Sequence, residues 1–186
     1  MIDKIFLEVK RALEYKGRAL IAIDGRAGAG KSTLASELAE LLDGEIISMD
    51  DFFLPMELRT EERLNEPGGN VHYERFAQEV GLKLIYPMPF EYGVFNCSEM
   101  RIDSKKRVKN GRIVIVEGSY SLRPEFRDIY DVRIFMDVDA DTQMKRIKER
   151  NGEELAKRFE QLWIPLEEKY FEAFKVKECA DVILKR

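Results

Sequence analysis

The sequence predicts an α/β fold in which a mostly parallel sheet of five strands lies between two layers of helices. Short apolar runs without polar alternation are typical of strands that are covered on both faces. Segments with apolar residues at helical spacing separate these runs, and strands that alternate with helices form parallel sheets. The predicted strands are residues 18–23, 45–48, 112–116, 131–136 and 180–184.

The segments between these strands predict the helices and one excursion from the sheet. Two prolines, several aromatic residues and an Asn-Gly turn at 110–111 predict an irregular β-hairpin within residues 85–109. Residues 54–70 are polar and rich in turn formers, which favours a loop. Helical spacing predicts helices at residues 3–15, 32–42, 73–84, 141–150 and 153–175, the last of them broken or kinked near Pro165.

Composition narrows the class of protein. A length of 186 residues suggests one domain, residues 1–186. The net charge of −4 provides no basic surface for nucleic acid, and no apolar run approaches the length that crosses a membrane. The first residues lack the apolar core of a signal peptide. We therefore expect a cytoplasmic protein without nucleic-acid or membrane partners, and the sequence leaves its oligomeric state open.

Residues 25–32, Gly-Arg-Ala-Gly-Ala-Gly-Lys-Ser, fit the phosphate-loop pattern of nucleotide-binding proteins. An apolar strand precedes them and a helix follows, as this motif requires. Backbone N–H groups of such a loop surround phosphate oxygens, and the helix N-terminus adds a partial positive charge. Lys31 can reach the outer phosphates, and the Ser32 hydroxyl can ligate Mg²⁺. The predicted nucleotide-binding residues are Gly25, Ala27, Gly28, Ala29, Gly30, Lys31, Ser32 and Thr33.

Carboxylates follow several predicted strands. In parallel sheets ligands bind beyond the carboxyl ends of the strands, so these acids would face a triphosphate. Asp50 and Glu117 directly follow buried-type strands, which favours Mg²⁺ binding or proton transfer over a solubilising role. Asp137 is explained equally well by solubility. Because neighbouring residues of an extended chain point oppositely, the spacing alone does not choose between Asp50 and Asp51 as the base.

The phosphate loop, Asp-Asp-Phe-Phe at 50–53, Ile-Val-Glu-Gly at 115–118 and a later basic helix resemble the uridine kinase and phosphoribulokinase family. Nicotinamide riboside kinases are similar to that family and carry the same Asp-Asp-Phe-Phe motif. The resemblance covers the chain from about residue 20 onward. It implies a P-loop NTPase fold of three layers, α/β/α, with a helical lid. It also implies an ATP- and Mg²⁺-dependent kinase whose partners are a nucleoside triphosphate and a small-molecule acceptor.

The resemblance also implies roles for single residues. Asp50 would be the general base and could contribute to the metal site, where Ser32 and Glu117 would order Mg²⁺. The lid would lie at about residues 145–158, with Arg146 and Arg150 on one helix face stabilising the transferred phosphoryl group. Asn-Gly-Glu-Glu at 151–154 replaces the longer arginine-rich lid of typical uridine kinases.

The acceptor is expected to lie against an insertion at about residues 54–110. Nucleoside kinases of this group usually place an Asp after the Gly-Gly-Asn loop, where this chain has His72. The first interpretation is a uridine or cytidine kinase-like activity. A kinase for nicotinamide riboside, a pantothenate-like or a sugar-like acceptor, or a nucleotide-binding regulator without turnover, stays open. The predicted acceptor residues are Phe52, Phe53, His72, Tyr92 and Arg101, with Arg75 and Tyr120 as weaker candidates.

A GTPase-type switch is a different class of P-loop protein. Such switches read guanine with an Asn-Lys-x-Asp motif, and this sequence contains none. Their Asp-x-x-Gly element is also missing after the third predicted strand, where Glu117-Gly118 stands. The sequence therefore favours a kinase, and it does not decide between ATP and GTP as the donor.

Overall fold

The computed structural model describes residues 2–185 and contains a five-stranded, fully parallel sheet. The strand order is β2-β5-β1-β6-β7, and β3 and β4 pair antiparallel as a separate hairpin. The predicted strands and the predicted hairpin are therefore confirmed. The strands are β1 (Ala19–Gly25), β2 (Glu45–Ser48), β3 (Phe90–Asn96), β4 (Arg101–Val108), β5 (Ile113–Glu117), β6 (Val132–Asp137) and β7 (Val182–Lys185).

Residues 2–185 form eight α-helices, which surround the sheet and its insertion. A π turn at Ala77–Gly81 joins the fourth and fifth helices, and a second at Phe159–Trp163 joins the seventh and eighth. Within residues 2–185, no helix has the length and apolar character needed to cross a membrane. The helices are α1 (Ile2–Lys16), α2 (Lys31–Leu42), α3 (Glu61–Asn65), α4 (Tyr73–Phe76), α5 (Leu82–Leu84), α6 (Ala140–Asn151), α7 (Glu153–Arg158) and α8 (Ile164–Phe174).

The central strand β1 is buried along its whole length, which explains its unbroken apolar run. Its side chains alternate between two cores. Ile21 and Ile23 face a core that includes Ile5 and Val9 of α1. Leu20 and Ala22 face the opposite core, where α8 and the insertion pack. The N-terminal helix α1 therefore covers one face of the sheet.

The insertion is more structured than the sequence indicates. Residues 54–70 form a 3₁₀ turn and the short helix α3, which begins where the Thr60 hydroxyl accepts a hydrogen bond from the Arg63 N–H. The hairpin packs on the end of β2 through Tyr92, whose ring stacks on Phe52 at 5.2 Å between centroids. These contacts place the hairpin beside the carboxyl edge of the sheet.

A buried carboxylate, Asp24, joins three segments at this edge. Its side chain is fully buried and accepts hydrogen bonds from the backbone N–H groups of Gly25, Tyr120 and Leu122 at 2.7, 3.2 and 2.9 Å. The Tyr170 hydroxyl of α8 donates a fourth at 2.8 Å. Burial raises the pKa of Asp24 to about 6, although the donated hydrogen bonds oppose this shift. One side chain thus ties the phosphate loop to the segment after β5 and to α8.

Steric contact explains why the first residue of the phosphate loop is a glycine. Gly25 has φ +135°, and a Cβ atom there would lie 2.1 Å from the Met136 carbonyl oxygen on β6. Gly25→Ala should therefore lower the free energy of unfolding by about 3 kcal/mol or more. Urea denaturation would measure this loss. Gly111→Ala is the control, because a Cβ at Gly111 meets nothing within 4 Å, and equal stability of the two variants would contradict the prediction.

Asp24 predicts a pH dependence of stability. Its pKa lies near 6 in the folded chain and near 3.8 in the unfolded chain. Between these two pH values, the native state holds a proton that the unfolded state releases. Raising the pH through the window therefore reduces the contribution of Asp24 to stability, by up to about 3 kcal/mol.

Urea unfolding of the wild type and Asp24→Asn, at about pH 4.5 and about pH 7, would test this dependence. The stability of the wild type relative to Asp24→Asn should be greater at the lower pH. Taking the difference between the two proteins cancels the titration of the other carboxylates. A difference that does not change with pH would contradict the prediction.

Candidate active site

One cavity of about 780 Å³ opens at the carboxyl edge of the sheet. The phosphate loop forms one side, the segments after β2 and β5 form the floor, and the lid helices α6 and α7 with the following π turn form the remaining wall. The predicted site residues that line it are Ala27, Gly28, Ala29, Gly30, Lys31, Ser32, Thr33, Asp50, Phe53, Glu117, Arg146 and Arg150.

The phosphate loop has the geometry that anion binding requires. Gly28 and Gly30 have φ values of +72° and +90°, a region that favours glycine. Gly30 is the N-cap of α2, so the first N–H groups of this helix lie at the cavity. The Lys31 amine donates hydrogen bonds to the carbonyl oxygens of Gly25 and Arg26 at 2.7 and 3.0 Å. The loop therefore combines backbone donors and one cation, which suits a phosphate chain.

Glu117 lies at the end of β5 between two hydroxyl groups. One carboxylate oxygen accepts a hydrogen bond from Ser32 Oγ at 3.1 Å, and the other accepts one from Ser48 Oγ at 2.9 Å. Burial raises the pKa of Glu117, and the two hydroxyl donors oppose the shift. Among residues 2–185, no three or more His, Cys, Asp or Glu side chains form a cage for a metal. Ser32 and Glu117 offer the hard oxygen ligands that Mg²⁺ takes together with water and phosphate oxygens.

The structure separates the two candidate bases. Asp50 lies in the 3₁₀ turn after β2 and lines the cavity. Asp51 is directed away from it, because its carboxylate accepts a hydrogen bond from the Tyr92 hydroxyl at 2.7 Å and its backbone carbonyl accepts one from Arg75. Asp50 touches solvent through the open cavity but has protein on most sides, which raises its pKa. Lys31 opposes this shift, and the charge of Asp51 adds to it.

Both lid arginines reach the cavity from α6. Arg146 donates a hydrogen bond to the Gly28 carbonyl at 3.1 Å, which places its guanidinium against the phosphate loop. Arg150 lies one turn later, bonded to the Asn151 side chain at 2.7 Å. Positive charge therefore faces the Asp50 side of the cavity from the lid.

Phe52 and Tyr92 support the floor of the site in place of the predicted contact with an acceptor. Phe52 is fully buried and packs edge-on against Phe76 with ring centroids 5.1 Å apart. Tyr92 is also buried, and its hydroxyl holds Asp51. Phe53 is the member of the aromatic pair that lines the cavity. The side chains alternate here because the chain is extended at Phe53, where it bridges to Val71.

His72 and Arg101 also lie outside the main cavity. His72 lines a separate pocket of about 380 Å³ together with Arg63 and Glu74, and burial lowers its pKa. Arg101 lies at the exposed start of β4, 4.0 Å from Glu99. The insertion directs both side chains away from the phosphate loop, so neither is placed to contact an acceptor there.

Several cavity residues were not predicted. Trp163 and Phe159 lie on the second π turn with ring centroids 4.6 Å apart, and both line the cavity. Glu167 follows one turn later on α8. A weaker candidate, Tyr120, lines the opposite side with φ +79°, a conformation that is strained for a residue with a side chain. The remaining unpredicted lining residues are Met49, Asn70, Cys97, Gly118, Ser119, Asn151 and Leu155.

Comparisons with known proteins agree with this geometry, although no protein-family model matches the chain. A uridine kinase of Clostridium botulinum (strain Kyoto / Type A2) is 29% identical over 143 residues, which cover 70% of this chain and 68% of the relative. A uridine kinase of Staphylococcus aureus (strain JH9) is 26% identical over 151 residues, covering 75% and 71%.

A solved structure named as a possible uridine kinase from Bacillus stearothermophilus superposes with a TM-score of 0.70 at 21% identity. The match covers 98% of this chain and 97% of that protein. At this identity the likeness shows the fold, which is the predicted three-layer P-loop kinase fold. The curated relatives confirm the prediction of a kinase that resembles uridine kinases.

Proposed function

We propose that this chain catalyses phosphoryl transfer from ATP to a hydroxyl group of a small metabolite. The observation that supports the proposal is a single cavity that contains the phosphate loop, the Asp50 carboxylate and the lid arginines. These are the parts that phosphoryl transfer needs, namely donor binding, a proton acceptor and positive charge over the transferred group.

In this proposal the donor lies on residues 27–33. Backbone N–H groups of the loop and of the α2 N-terminus bind the phosphates, and Lys31 pairs with the outer ones. Ser32 and Glu117 would hold Mg²⁺, which neutralises charge on the outer phosphates when it is bound. Lys31 would exchange its present carbonyl partners in the loop for phosphate oxygens.

Asp50 would accept the proton of the acceptor hydroxyl. The hydroxyl oxygen then bonds to the γ-phosphorus while the bond between that phosphorus and the β–γ bridging oxygen breaks, leaving ADP and the phosphorylated acceptor. Arg146 and Arg150 stabilise the charge that spreads over the phosphoryl oxygens. Asp51 takes no part, because Tyr92 holds its carboxylate away from the cavity.

The acceptor class that we favour is a nucleoside, with a uridine or cytidine kinase-like activity first. The curated relatives carry the name uridine kinase, and Phe53, Tyr120 and Asn70 line the acceptor side of the cavity. Aromatic rings and an amide suit a planar base with polar edges.

One observation favours a second candidate. Among residues 2–185, Glu117 and Glu167 are the carboxylates that line the cavity besides Asp50. Both accept hydrogen bonds from the protein. No further carboxylate in residues 2–185 lines the cavity to bind a ribose diol. A pantothenate-like acceptor, which has no vicinal diol, would not need one.

Removal of the proposed base gives a direct test. Asp50→Asn should lower turnover by about 10²- to 10⁴-fold, because the amide does not accept the proton of the acceptor. ATP affinity should persist, since the variant removes a negative charge near the phosphates. Coupled measurement of ADP release would give turnover, and calorimetric titration would give the ATP dissociation constant.

Asp51→Asn is the matched control for this substitution. Its side-chain oxygen can still accept the Tyr92 hydrogen bond, so turnover should fall by about tenfold at most. Near-normal turnover in Asp50→Asn, or a larger loss in Asp51→Asn than in Asp50→Asn, would contradict the assignment of the base.

A panel of acceptors would identify the substrate class. We expect ADP release with uridine or cytidine to exceed that with nicotinamide riboside, pantothenate and hexoses, measured as kcat/KM. A higher value for pantothenate would replace the nucleoside assignment with the second candidate, and a higher value for a hexose would replace it with a sugar-like acceptor. Nucleotide binding without ADP release for any acceptor would favour a regulator over an enzyme.

A further inference from the structure

We propose that Gln143 and Glu167 are positioning residues that clamp Ala27 of the phosphate loop and couple the loop to the lid. The inference rests on the proposed function only in that the loop binds ATP. Neither residue was predicted from the sequence. They lie on α6, whose second half belongs to the lid, and on α8, which follows the lid and its π turn, and they converge on one loop residue.

Glu167 holds the N–H side of Ala27. One of its carboxylate oxygens accepts a hydrogen bond from the Ala27 N–H at 3.0 Å, and the other accepts one from the Ser119 hydroxyl at 2.6 Å. The side chain is 6% exposed. A buried carboxylate bound to a backbone donor of the loop restricts that peptide group strongly, because charge-assisted hydrogen bonds are the stronger class.

Gln143 holds the carbonyl side of the same residue. Its side-chain amide donates a hydrogen bond to the Ala27 carbonyl at 3.0 Å, and the residue is 3% exposed. The two peptide groups that flank Ala27 are therefore bound by two different helices. Arg146, one turn after Gln143, bonds the next carbonyl, that of Gly28.

The Ala27 side chain completes the attachment. Its methyl group belongs to a small buried cluster with Ile147 of α6 and Ala156 of α7. Phe159 of the π turn, which lines the cavity, packs against this cluster. Ala27 is thus embedded between the lid helices while the rest of its loop faces the nucleotide site.

The physical consequence is preorganisation. Gly28 and Gly30 give the loop the φ values that it needs, but glycines lose more conformational entropy on ordering than any other residue. A clamp that orders the loop before ATP arrives reduces the entropy lost on binding. Because Gln143 lies on the lid helix α6 and Glu167 lies on α8 just after the lid, the state of the loop and the packing of the lid are linked, and this linkage acts in both directions.

Leucine substitutions with matched controls test the clamp. Glu167→Leu and Gln143→Leu remove the bonds to Ala27 at similar volume and should weaken ATP binding by about fivefold to tenfold, the equivalent of one hydrogen bond. Glu172→Leu and Gln161→Leu change exposed residues of the same types on α8 and the second π turn, and should leave ATP affinity unchanged. Calorimetry would measure affinity, and urea unfolding would identify the variants that are folded at the assay temperature.

Conservative substitution and fluorescence separate positioning from a merely structural role. Glu167→Gln can still accept the Ala27 bond and donate to Ser119, so its ATP affinity should stay within about twofold of the wild type. Trp163, the only tryptophan of the sequence, lines the cavity and reports on the lid. Its emission should change with saturating ATP in the wild type and both controls, and change less in Glu167→Leu.

The proposal would be overturned by unchanged ATP affinity in folded Glu167→Leu or Gln143→Leu, or by wild-type Trp163 emission that does not respond to bound ATP. Should Glu167→Leu not fold, Gln143→Leu tests the same clamp from the carbonyl side. Because affinity is measured without turnover, a chain that binds ATP but phosphorylates no acceptor would sink the kinase proposal and leave the clamp standing. A wild type that binds no ATP would overturn both.

Discussion

The buried carboxylate of Asp24 is the interaction on which the geometry of the site depends. Two segments with backbone N–H donors, the phosphate loop and the chain after β5, meet α8 at the carboxyl end of β1. An interior of apolar side chains would leave such donors unpaired at a high free-energy cost. Asp24 accepts hydrogen bonds from both segments and from the Tyr170 hydroxyl of α8. The phosphate loop, the strand end that carries Glu117 and the helix that carries Glu167 therefore share one anchor.

The charges around the cavity are arranged with opposite signs on opposite sides. Asp50 and Glu117 lie on the floor, while Lys31, Arg146 and Arg150 lie on the loop and the lid. Burial raises the pKa of both floor carboxylates, and the positive charge of Lys31 opposes this shift in each. A polyphosphate placed between the two sides gains from the cations directly. A metal ion or water must separate the polyphosphate from the carboxylates. Ser32 and Glu117 offer oxygen ligands for a metal ion at that position.

The parts of this molecule that the sequence predicts are those set by neighbours in the chain. Local sequence determines an apolar strand, a glycine-rich turn and the place of an acid after a strand. The sheet, the loop and the positions of Asp50 and Glu117 could therefore be predicted. Phe52 and His72 could not be placed, because the insertion decides which side of the chain meets the core. The role of Glu167 could not be predicted from local sequence, because its partner Ala27 lies 140 residues away in the chain.

The helix break predicted near Pro165 is present, but it lies a few residues earlier in the chain. Proline lacks the N–H that a continuous α-helix would use, and the chain responds with the π turn Phe159–Trp163 just before it. Beyond this turn α8 is fixed to the phosphate loop by Glu167 and to β1 through Tyr170 and Asp24. Before it, α7 is mostly exposed and is held through buried Ala156. Helix α7 is therefore the part of the proposed lid that is least attached to the loop, because α6 and α8 on either side of it both bind Ala27.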